Sequence, residues 1–470
     1  APTSRATVRP ADVLGRGESA AYDFSTVVTC TNEQQVVVER PMYFNYQGVW
    51  SGGSGVLGSG SASKTWYFAE GTCRQGFETY FCLANPGAAK ANATLTYMKG
   101  DGTTASDRVT VPPRSRATVV PRHKLGTGND AAHDFSTSVM SDKKIVAERP
   151  MYFNYNGVWT GGHTVPGSSA PSNTFYFAEG TCRPGFDPYF CLQNPGGSTA
   201  AVTVKYMRGD GTIATEEVAV APRSRSTVIP RNVLGTGDDA AHDFSAQMVS
   251  DEPIVAERAM YFQYGGVWSG GSDAMGAVSP SSAFYFAEGT CRPGFAAYFC
   301  VQNAGSRAAH VTLAYMSGDG TTARDEISIT PNARATVSPA ARLGGAGIQD
   351  FSAVVTADQP IVAERSMYFD YNGWSGGSCV VGYGPYPAIG GSKTLEGIPL
   401  PAYSGKVGRE QHLCLTMSRE PAETHYAVSQ TPPEARNGMA WETSGGEGYG
   451  AWGKAPPLED ERYYICMRWN

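Results

Sequence analysis

The sequence predicts an all-β protein of tandem Ig-like β-sandwich repeat domains in a linear array, followed by a small C-terminal β-sandwich domain. The first observation is a long internal repeat: Tyr-Phe-Ala-Glu-Gly-Thr-Cys-Arg begins at Tyr67, Tyr176 and Tyr285, at a spacing of 109 residues. Solenoid repeats are about 20 to 50 residues long, so a period of this length matches a whole small domain with its own core. The other two observations are short alternating apolar runs and turn residues every 8 to 12 residues or so, which is typical of a sandwich.

Within one repeat, the alternation is that of β-strands. Val202, Val204 and Tyr206 alternate with polar or partly polar neighbours, and the run ends at Asp210-Gly211. Asp-Gly is a strong hairpin signal, and the turn recurs in the other copies. Calcium binding by Gly-Asp-Gly-Thr is the alternative, but calcium needs six to eight oxygens and the EF-hand spacing is absent. A plain hairpin turn is therefore predicted.

A second signature lies near the end of each copy. It is Glu-Arg followed two residues later by Met-Tyr-Phe, and its first residues are Glu39, Glu148, Glu257 and Glu364. Together the signatures divide the chain into an incomplete N-terminal repeat (1–60), three repeat units (66–171, 175–280 and 284–384) and a C-terminal β domain (386–470). The first segment lacks the first half of a unit. Half a sandwich exposes core and strand edges, so we expect another copy of the chain to complete it head to tail.

Composition excludes several classes of partner. The 470 residues are 41% hydrophobic and 17% charged, with a formal net charge of −6, which indicates ordered globular protein. No run of Lys or Arg forms the basic patch that nucleic-acid binding proteins use. No stretch approaches the ~20 apolar residues of a membrane helix, so neither nucleic acid nor membrane insertion is expected.

The ten cysteines indicate in which cellular compartment the protein is found. Because a short turn separates their members, three repeated pairs are predicted to be disulfides, whereas a metal site would need further ligands. Disulfides imply an oxidising environment, hence an extracellular or cell-surface protein. The pairs are Cys73 with Cys82, Cys182 with Cys191, and Cys291 with Cys300, and Cys414 with Cys466 could join two strand-like runs of the last segment.

Two cysteines remain, one near each end of the repeat array. In a head-to-tail polymer, Cys30 of one subunit and Cys379 of the next would lie close enough for an inter-subunit disulfide. The alternative is that Cys379 pairs within the C-terminal segment and one thiol stays free.

The repeat resembles the β-rich repeats of roughly 100 residues found in secreted and surface proteins of actinobacteria and other bacteria. The resemblance is carried by Phe175 to Gly180, Leu192 to Gly196, Tyr206 to Gly211, Pro222 to Arg225 and Glu257 to Tyr261. It covers residues 4–377 and implies a stalk, surface-layer or appendage module. The family carries no established chemistry to transfer. The C-terminal ending from Tyr463 to Arg468 is similar to terminal β-sandwich segments of some bacterial secreted proteins.

Three patterns could carry chemistry. In each Glu-Arg pair, neighbouring side chains of a strand point to opposite faces, so we expect structural ion pairs with other groups. Asp-Phe-Ser follows His133 and His242 in two copies, but Tyr22 and Gln349 hold that position in the others, which argues against a catalytic triad.

Each repeat also ends in Trp-Ser/Thr-Gly-Gly. These tryptophans could pack between units or stack on sugar rings; they are Trp50, Trp159, Trp268 and Trp374.

The sequence therefore predicts a non-enzymatic extracellular structural protein, the subunit of a filament, polymer or surface layer, without cofactor or metal. The alternative function is a stalked adhesin or module that binds surface glycan. An enzyme would have to use the single-copy C-terminal segment, whose candidate side chains follow no catalytic motif: Glu410, His412, Glu442 and Glu447.

Overall fold

The computed structural model describes residues 4–32 and 34–384 and, beyond residue 384, the backbone of seven short strands. The chain divides into two compact units, Ala1–Pro385 and Tyr386–Asn470. The predicted all-β class is confirmed, since each repeat folds into β-sheets.

The first repeat contributes one antiparallel hairpin, β1 (Glu39–Tyr46) and β2 (Trp50–Leu57). The second repeat forms a complete eight-stranded unit. Its strands are β3 (Ser63–Phe68), β4 (Phe77–Thr79), β5 (Phe81–Asn85), β6 (Ala91–Lys99), β7 (Thr104–Val111), β8 (Ser115–Val119), β9 (Phe135–Tyr155) and β10 (Trp159–Pro166).

The long strand β9 organises this unit because it runs through both of its sheets. Its first half lies between β3 and β6, and β7 follows β6. Its second half lies between β10 and β5, and β8 follows β5. Alternate side chains from both halves meet in one core, which includes Phe68, Phe81, Leu95, Phe135 and Val139.

The third and fourth repeats have the same topology, with one continuous strand in place of β4 and β5. The third contains β11 (Ser172–Phe177), β12 (Phe186–Asn194), β13 (Ala200–Met207), β14 (Ile213–Val220), β15 (Ser224–Val228), β16 (Ser245–Tyr264) and β17 (Trp268–Met275). The fourth contains β18 (Ser281–Phe286), β19 (Phe295–Asn303), β20 (Ala309–Met316), β21 (Thr322–Ile329), β22 (Ala333–Val337), β23 (Ser352–Tyr371) and β24 (Trp374–Val381).

Helices in the described residues are single turns. Each follows a proline, which fixes φ near its helical value. They are α1 (Ala11–Leu14), α2 (Arg122–Leu125), α3 (Arg231–Leu234) and α4 (Ala340–Gly345), with 3₁₀ turns at Ala20–Tyr22, Ala131–His133 and Ala240–His242.

The four repeats close into a ring, which differs from the expected linear array. The last strands of the repeats contact one another in the cyclic order β2, β10, β17, β24 and back to β2. Each of these strands contains Gly-Gly, and the absence of side chains lets neighbouring backbones approach. An added Cβ on Gly52 would lie 3.0 Å from the Cα of Gly161, and one on Gly376 would lie 3.2 Å from the Cα of Gly52. The first and fourth repeats are therefore neighbours.

Residues 386–470 form a separate β unit. Its five-stranded sheet has the strand order β28-β27-β31-β30-β29, and a two-stranded ladder precedes it. The register places Cys414 opposite Cys466, while their side chains, and those of the four C-terminal candidate residues, lie outside the described part. The strands are β25 (Thr394–Leu395), β26 (Ile398–Pro399), β27 (Gln411–Met417), β28 (Thr424–Ser429), β29 (Glu442–Ser444), β30 (Trp452–Lys454) and β31 (Tyr463–Trp469).

Candidate functional site

The Glu-Arg pairs lie where one repeat meets the next. Each arginine reaches the glutamate of the following repeat, not its own neighbour in sequence, so the predicted pairing with other groups is confirmed. Four salt bridges complete a cycle round the ring: Arg40–Glu148 at 2.9 Å, Arg149–Glu257 at 2.8 Å, Arg258–Glu364 at 2.7 Å and Arg365–Glu39 at 2.9 Å.

Three of these bridges are buried. The side chains of Arg149, Arg258 and Arg365 are fully shielded from solvent. Their glutamates also accept backbone hydrogen bonds; the amide of Ala69, for example, donates to Glu257 Oε1 at 2.6 Å. Removing one partner of such a pair strands a buried charge and costs about 3–5 kcal/mol.

Aromatic rings form a second cycle beside the salt bridges. The tyrosine that ends one long strand lies against a tyrosine of the next repeat, with ring centroids 4.2–4.6 Å apart. The pairs are Tyr46–Tyr152, Tyr155–Tyr261, Tyr264–Tyr368 and Tyr371–Tyr43. Within the repeats, Trp50, Trp159 and Trp268 stack on the same tyrosines. These contacts favour packing between units for the tryptophans; glycan binding stays a prediction.

The interface between the second and third repeats departs from the others. His163 is the fifth residue of β10, and Asp273 is the sixth residue of β17. Both lie next to Glu70, and all three side chains are more than nine-tenths buried. His163 Nε2 lies 3.8 Å from Glu70 Oε2, and Nδ1 lies 3.9 Å from Asp273 Oδ2. Arg149 donates to Glu70 at 2.9 Å and also to Asp273. This cluster of Glu70, His163, Asp273, Arg149 and Glu257 is the candidate site.

Burial dominates the electrostatics of this cluster. Desolvation and repulsion by Asp273 raise the pKa of Glu70 well above its usual range, and desolvation raises the pKa of Glu257 to about 8. Burial lowers the pKa of His163 to about 3, so its imidazole is neutral at pH 7. Burial also opposes ionisation of Asp273, but the adjacent Arg149 guanidinium outweighs it and holds that pKa below its usual range. Three carboxyl groups thus share one guanidinium.

Sequence reasoning missed this cluster. His163 has serine at the equivalent position of the other repeats, and Asp273 has Gly, Thr or Cys; the residues are Ser54, Ser272 and Ser378, and Gly55, Thr164 and Cys379. An alignment of the four copies would therefore have pointed to the cluster, because it shows that the residues at these two positions differ between repeats.

The aspartates of the Asp-Phe-Ser segments pair with distant arginine side chains. Arg74 binds Asp134 at 2.9 Å through Nε, and the equivalent pairs Arg183–Asp243 and Arg292–Asp350 recur. His133 pairs at 2.7 Å with Asp130, an exposed residue of a preceding turn. These contacts tie the loop after the first strand to the start of the long strand.

The predicted disulfides of the repeats are absent: Cys73, Cys82, Cys182, Cys191, Cys291 and Cys300 are free thiols. The third repeat shows the reason. Cys182 belongs to the sandwich core with Phe190 and Leu192. Cys191 stands between those two residues on β12 and so faces the opposite side of the sheet, where its Sγ accepts a hydrogen bond from Arg225 at 3.0 Å.

The bond between Cys30 and Cys379 of different subunits stays a prediction, and burial of Cys379 gives it no support. Cys379 is 4% exposed and donates from Sγ to Glu364 Oε2 at 3.1 Å, inside the ring. Cys30 is a free thiol that donates to Asn32 Oδ1 at 3.0 Å.

In the described residues, no helix has the length and apolar character required to cross a membrane.

The chain was compared with protein families, curated proteins and solved structures. Residues 165–368 match the model of a family of unknown function, DUF5719. No curated protein matches the chain. Among solved structures, the crystal structure of Thermotoga maritima 1070 is 18% identical with a TM-score of 0.20, covering 23% of this chain and 94% of that one. The Anabaena sensory rhodopsin transducer is 24% identical with a TM-score of 0.17, covering 19% of this chain and 95% of its own.

A tetra-tandem repeat from the extending region of a large adhesion protein is 7% identical with a TM-score of 0.11, covering 82% of this chain and 93% of that one. TM-scores this low carry no argument about function. The matched family model covers less than half of the chain and has no assigned activity.

Proposed function

We propose that this chain is a non-enzymatic structural protein that assembles with copies of itself through its first repeat. The observation that carries the proposal is the exposure of apolar side chains in that repeat. Phe24, Val28 and Val36 are 45%, 57% and 57% exposed, whereas the residues at the equivalent positions of the second repeat, Phe135, Val139 and Ile145, are fully buried. Burying such a side chain contributes about 1.5–3 kcal/mol.

The salt-bridge cycle supports the same site of assembly. Arg149, Arg258 and Arg365 are covered by the Ala-Glu-Gly loop of their own repeat, to whose carbonyl or carboxylate groups they donate. The described first repeat has no such loop, and the Arg40 side chain is 45% exposed. Strands from outside the described residues that complete the sandwich would cover both the apolar side chains and Arg40, and we assign these strands to a second copy. A contact of this kind between different surfaces propagates head to tail and builds a filament.

An extracellular or cell-surface location is part of the proposal. Its support is the resemblance of the repeats to those of secreted and surface proteins. The cysteines give no support to this location, since free buried thiols are compatible with a reducing compartment.

Sedimentation velocity of the full-length chain over a concentration series tests assembly. We expect larger species to grow with concentration, and electron microscopy to show filaments. Val28→Asp should reduce association, because a charge would enter the completed core. Met140→Asp is the matched control, since Met140 is 61% exposed in a complete repeat, and it should assemble like the parent. A chain that stays monomeric, or a Val28→Asp variant that assembles normally, contradicts the proposal.

A further inference from the structure

We propose that Glu70, His163 and Asp273 form a binding site for one divalent transition-metal cation at the interface of the second and third repeats. The ligand atoms offered by the three side chains lie within 4.8 Å of one another. Two carboxylate oxygens and one imidazole nitrogen are a ligand set suited to Zn²⁺ or a related ion. This inference is independent of self-assembly.

Unpartnered polar atoms point to a missing ligand. Both ring nitrogens of His163 and Oδ1 of Asp273 are buried without a hydrogen-bond partner. Buried polar groups in proteins are nearly always paired, and a water molecule is the usual partner where there is room. The central space beside them, lined by Ser54, Thr164 and Ser272 among others, is too narrow for a water molecule. An ion coordinated by one ring nitrogen of His163 and by Oδ1 of Asp273 would satisfy two of these three atoms.

Charge balance supports a divalent ion. In the cluster, the guanidinium of Arg149 faces the carboxylates of Glu70, Glu257 and Asp273. Carboxyl groups bind a metal ion in their ionised form. With all three ionised, the single guanidinium leaves two negative charges in excess, which a divalent cation would balance.

The other interfaces show what the repeat does without such a site. At the fourth-to-first interface, Arg365 and Arg5 balance Glu39 and Glu288. At the first-to-second interface, Arg40 alone meets Glu148.

The third-to-fourth interface brings Glu179, Glu364 and Cys379 together, but these groups already have partners. Ser366 donates to Glu179, and the thiol of Cys379 donates to Glu364. One guanidinium faces two carboxylates there. Three carboxyl groups around one guanidinium, together with an unpartnered imidazole, thus distinguish the second-to-third interface.

Arg149 leaves part of the ligand set free. Its Nη1 donates to the Glu70 carbonyl and to Glu257, and its Nη2 donates to Glu70 Oε2 and to Asp273 Oδ2. Asp273 Oδ1 and both ring nitrogens of His163 remain without a partner. In a tetrahedral zinc site, bonds of about 2.0–2.2 Å place ligand atoms roughly 3.3–3.6 Å apart. One ring nitrogen of His163 and one oxygen from each carboxylate lie within 4.8 Å of one another, so side-chain rotations that shorten these separations by about 1 Å would form the site.

The test compares zinc bound by the full-length parent and by His163→Ser, which installs the residue that the other three repeats carry. Protein stripped with EDTA is equilibrated with Zn²⁺, desalted and analysed for metal content. We expect the parent to retain one zinc ion more than His163→Ser, with affinity for that ion at least ~100-fold higher, since even second-shell changes cost 10- to 100-fold. His310→Ser, which removes an exposed histidine of β20, should behave like the parent.

Two further measurements protect the test against misfolding of one variant. Asp273→Thr installs the residue of the second repeat and should also lose the ion. Zinc should raise the melting temperature of the parent, and EDTA should reverse the rise, with neither effect in the two site variants. Equal zinc content in the parent and both variants, or a parent melting temperature insensitive to zinc and EDTA, would overturn the proposal.

Discussion

Arg365 of the fourth repeat donates to Glu39 of the first, with Nη1 2.9 Å from Oε2 and both side chains buried. The two residues are 326 positions apart in sequence. The same contact joins every pair of consecutive repeats, so the chain reuses one interface to close on itself.

The glycine contacts at the ring centre give a prediction on stability. An added Cβ on Gly270 would lie 3.1 Å from the Cα of Gly376 and 3.2 Å from the Phe262 ring. Because backbone cannot move aside readily, Gly270→Ala should destabilise the protein by about 1–3 kcal/mol in urea unfolding. Gly60→Ala is the control, since an added Cβ there meets nothing within 4 Å, and its effect should stay within about 0.5 kcal/mol. Equal effects of the two substitutions would contradict close approach of β17 and β24.

The thiols of the repeats should be present but unreactive in the folded protein. Burial raises the pKa of Cys182 to about 12 and that of Cys300 to about 12, so little thiolate forms at pH 8. We expect maleimide to modify these cysteines only after denaturation, with Cys30 labelled first. Peptide mapping without reductant gives the answer. A peptide that links Cys182 to Cys191 would restore the disulfide and refute the opposite-face geometry.

Stability should fall at alkaline pH. Burial raises the pKa of Cys182 and of Tyr152 to about 12, from ordinary values of 9.0 and 10.0. Because the folded state keeps protons that the unfolded state loses, the contribution is complete below about pH 9 and declines as pH rises toward 12. Each such group costs about 1.4 kcal/mol per pH unit above its unfolded pKa. Urea midpoints at pH 8 and pH 10.5 measure the decline, and a flat profile would contradict burial of these groups.

The sequence predicted the local structure within each repeat but not how the four repeats are arranged. Asp-Gly predicted hairpin turns, and Gly102, Gly211 and Gly320 adopt positive φ there. The ring was not predictable in this way, because Gly52 and Gly161 acquire their role only when two folded repeats meet. The disulfide prediction used spacing and ignored alternation: Phe190-Cys191-Leu192 already places the cysteine opposite two core residues.

The candidate site illustrates the same limit. Glu70 belongs to a motif present in three copies, and nothing in the motif distinguishes it from Glu179 and Glu288. Its distinct role at one interface arises from His163 and Asp273, which come from different repeats and are brought together when the second repeat packs against the third. Such a constellation requires tertiary structure.

Ring closure is most directly tested by a double-mutant cycle on Glu39 and Arg365. Glu39→Gln and Arg365→Leu should each cost about 3–5 kcal/mol, because each leaves a buried charge unpaired. Together they should cost at least about 1 kcal/mol less than the sum of the singles, whatever the protein concentration. Arg365→Leu combined with Glu18→Gln, an exposed carboxylate of the first repeat, should be additive. Additivity of Glu39→Gln and Arg365→Leu within about 0.5 kcal/mol would contradict the closed ring.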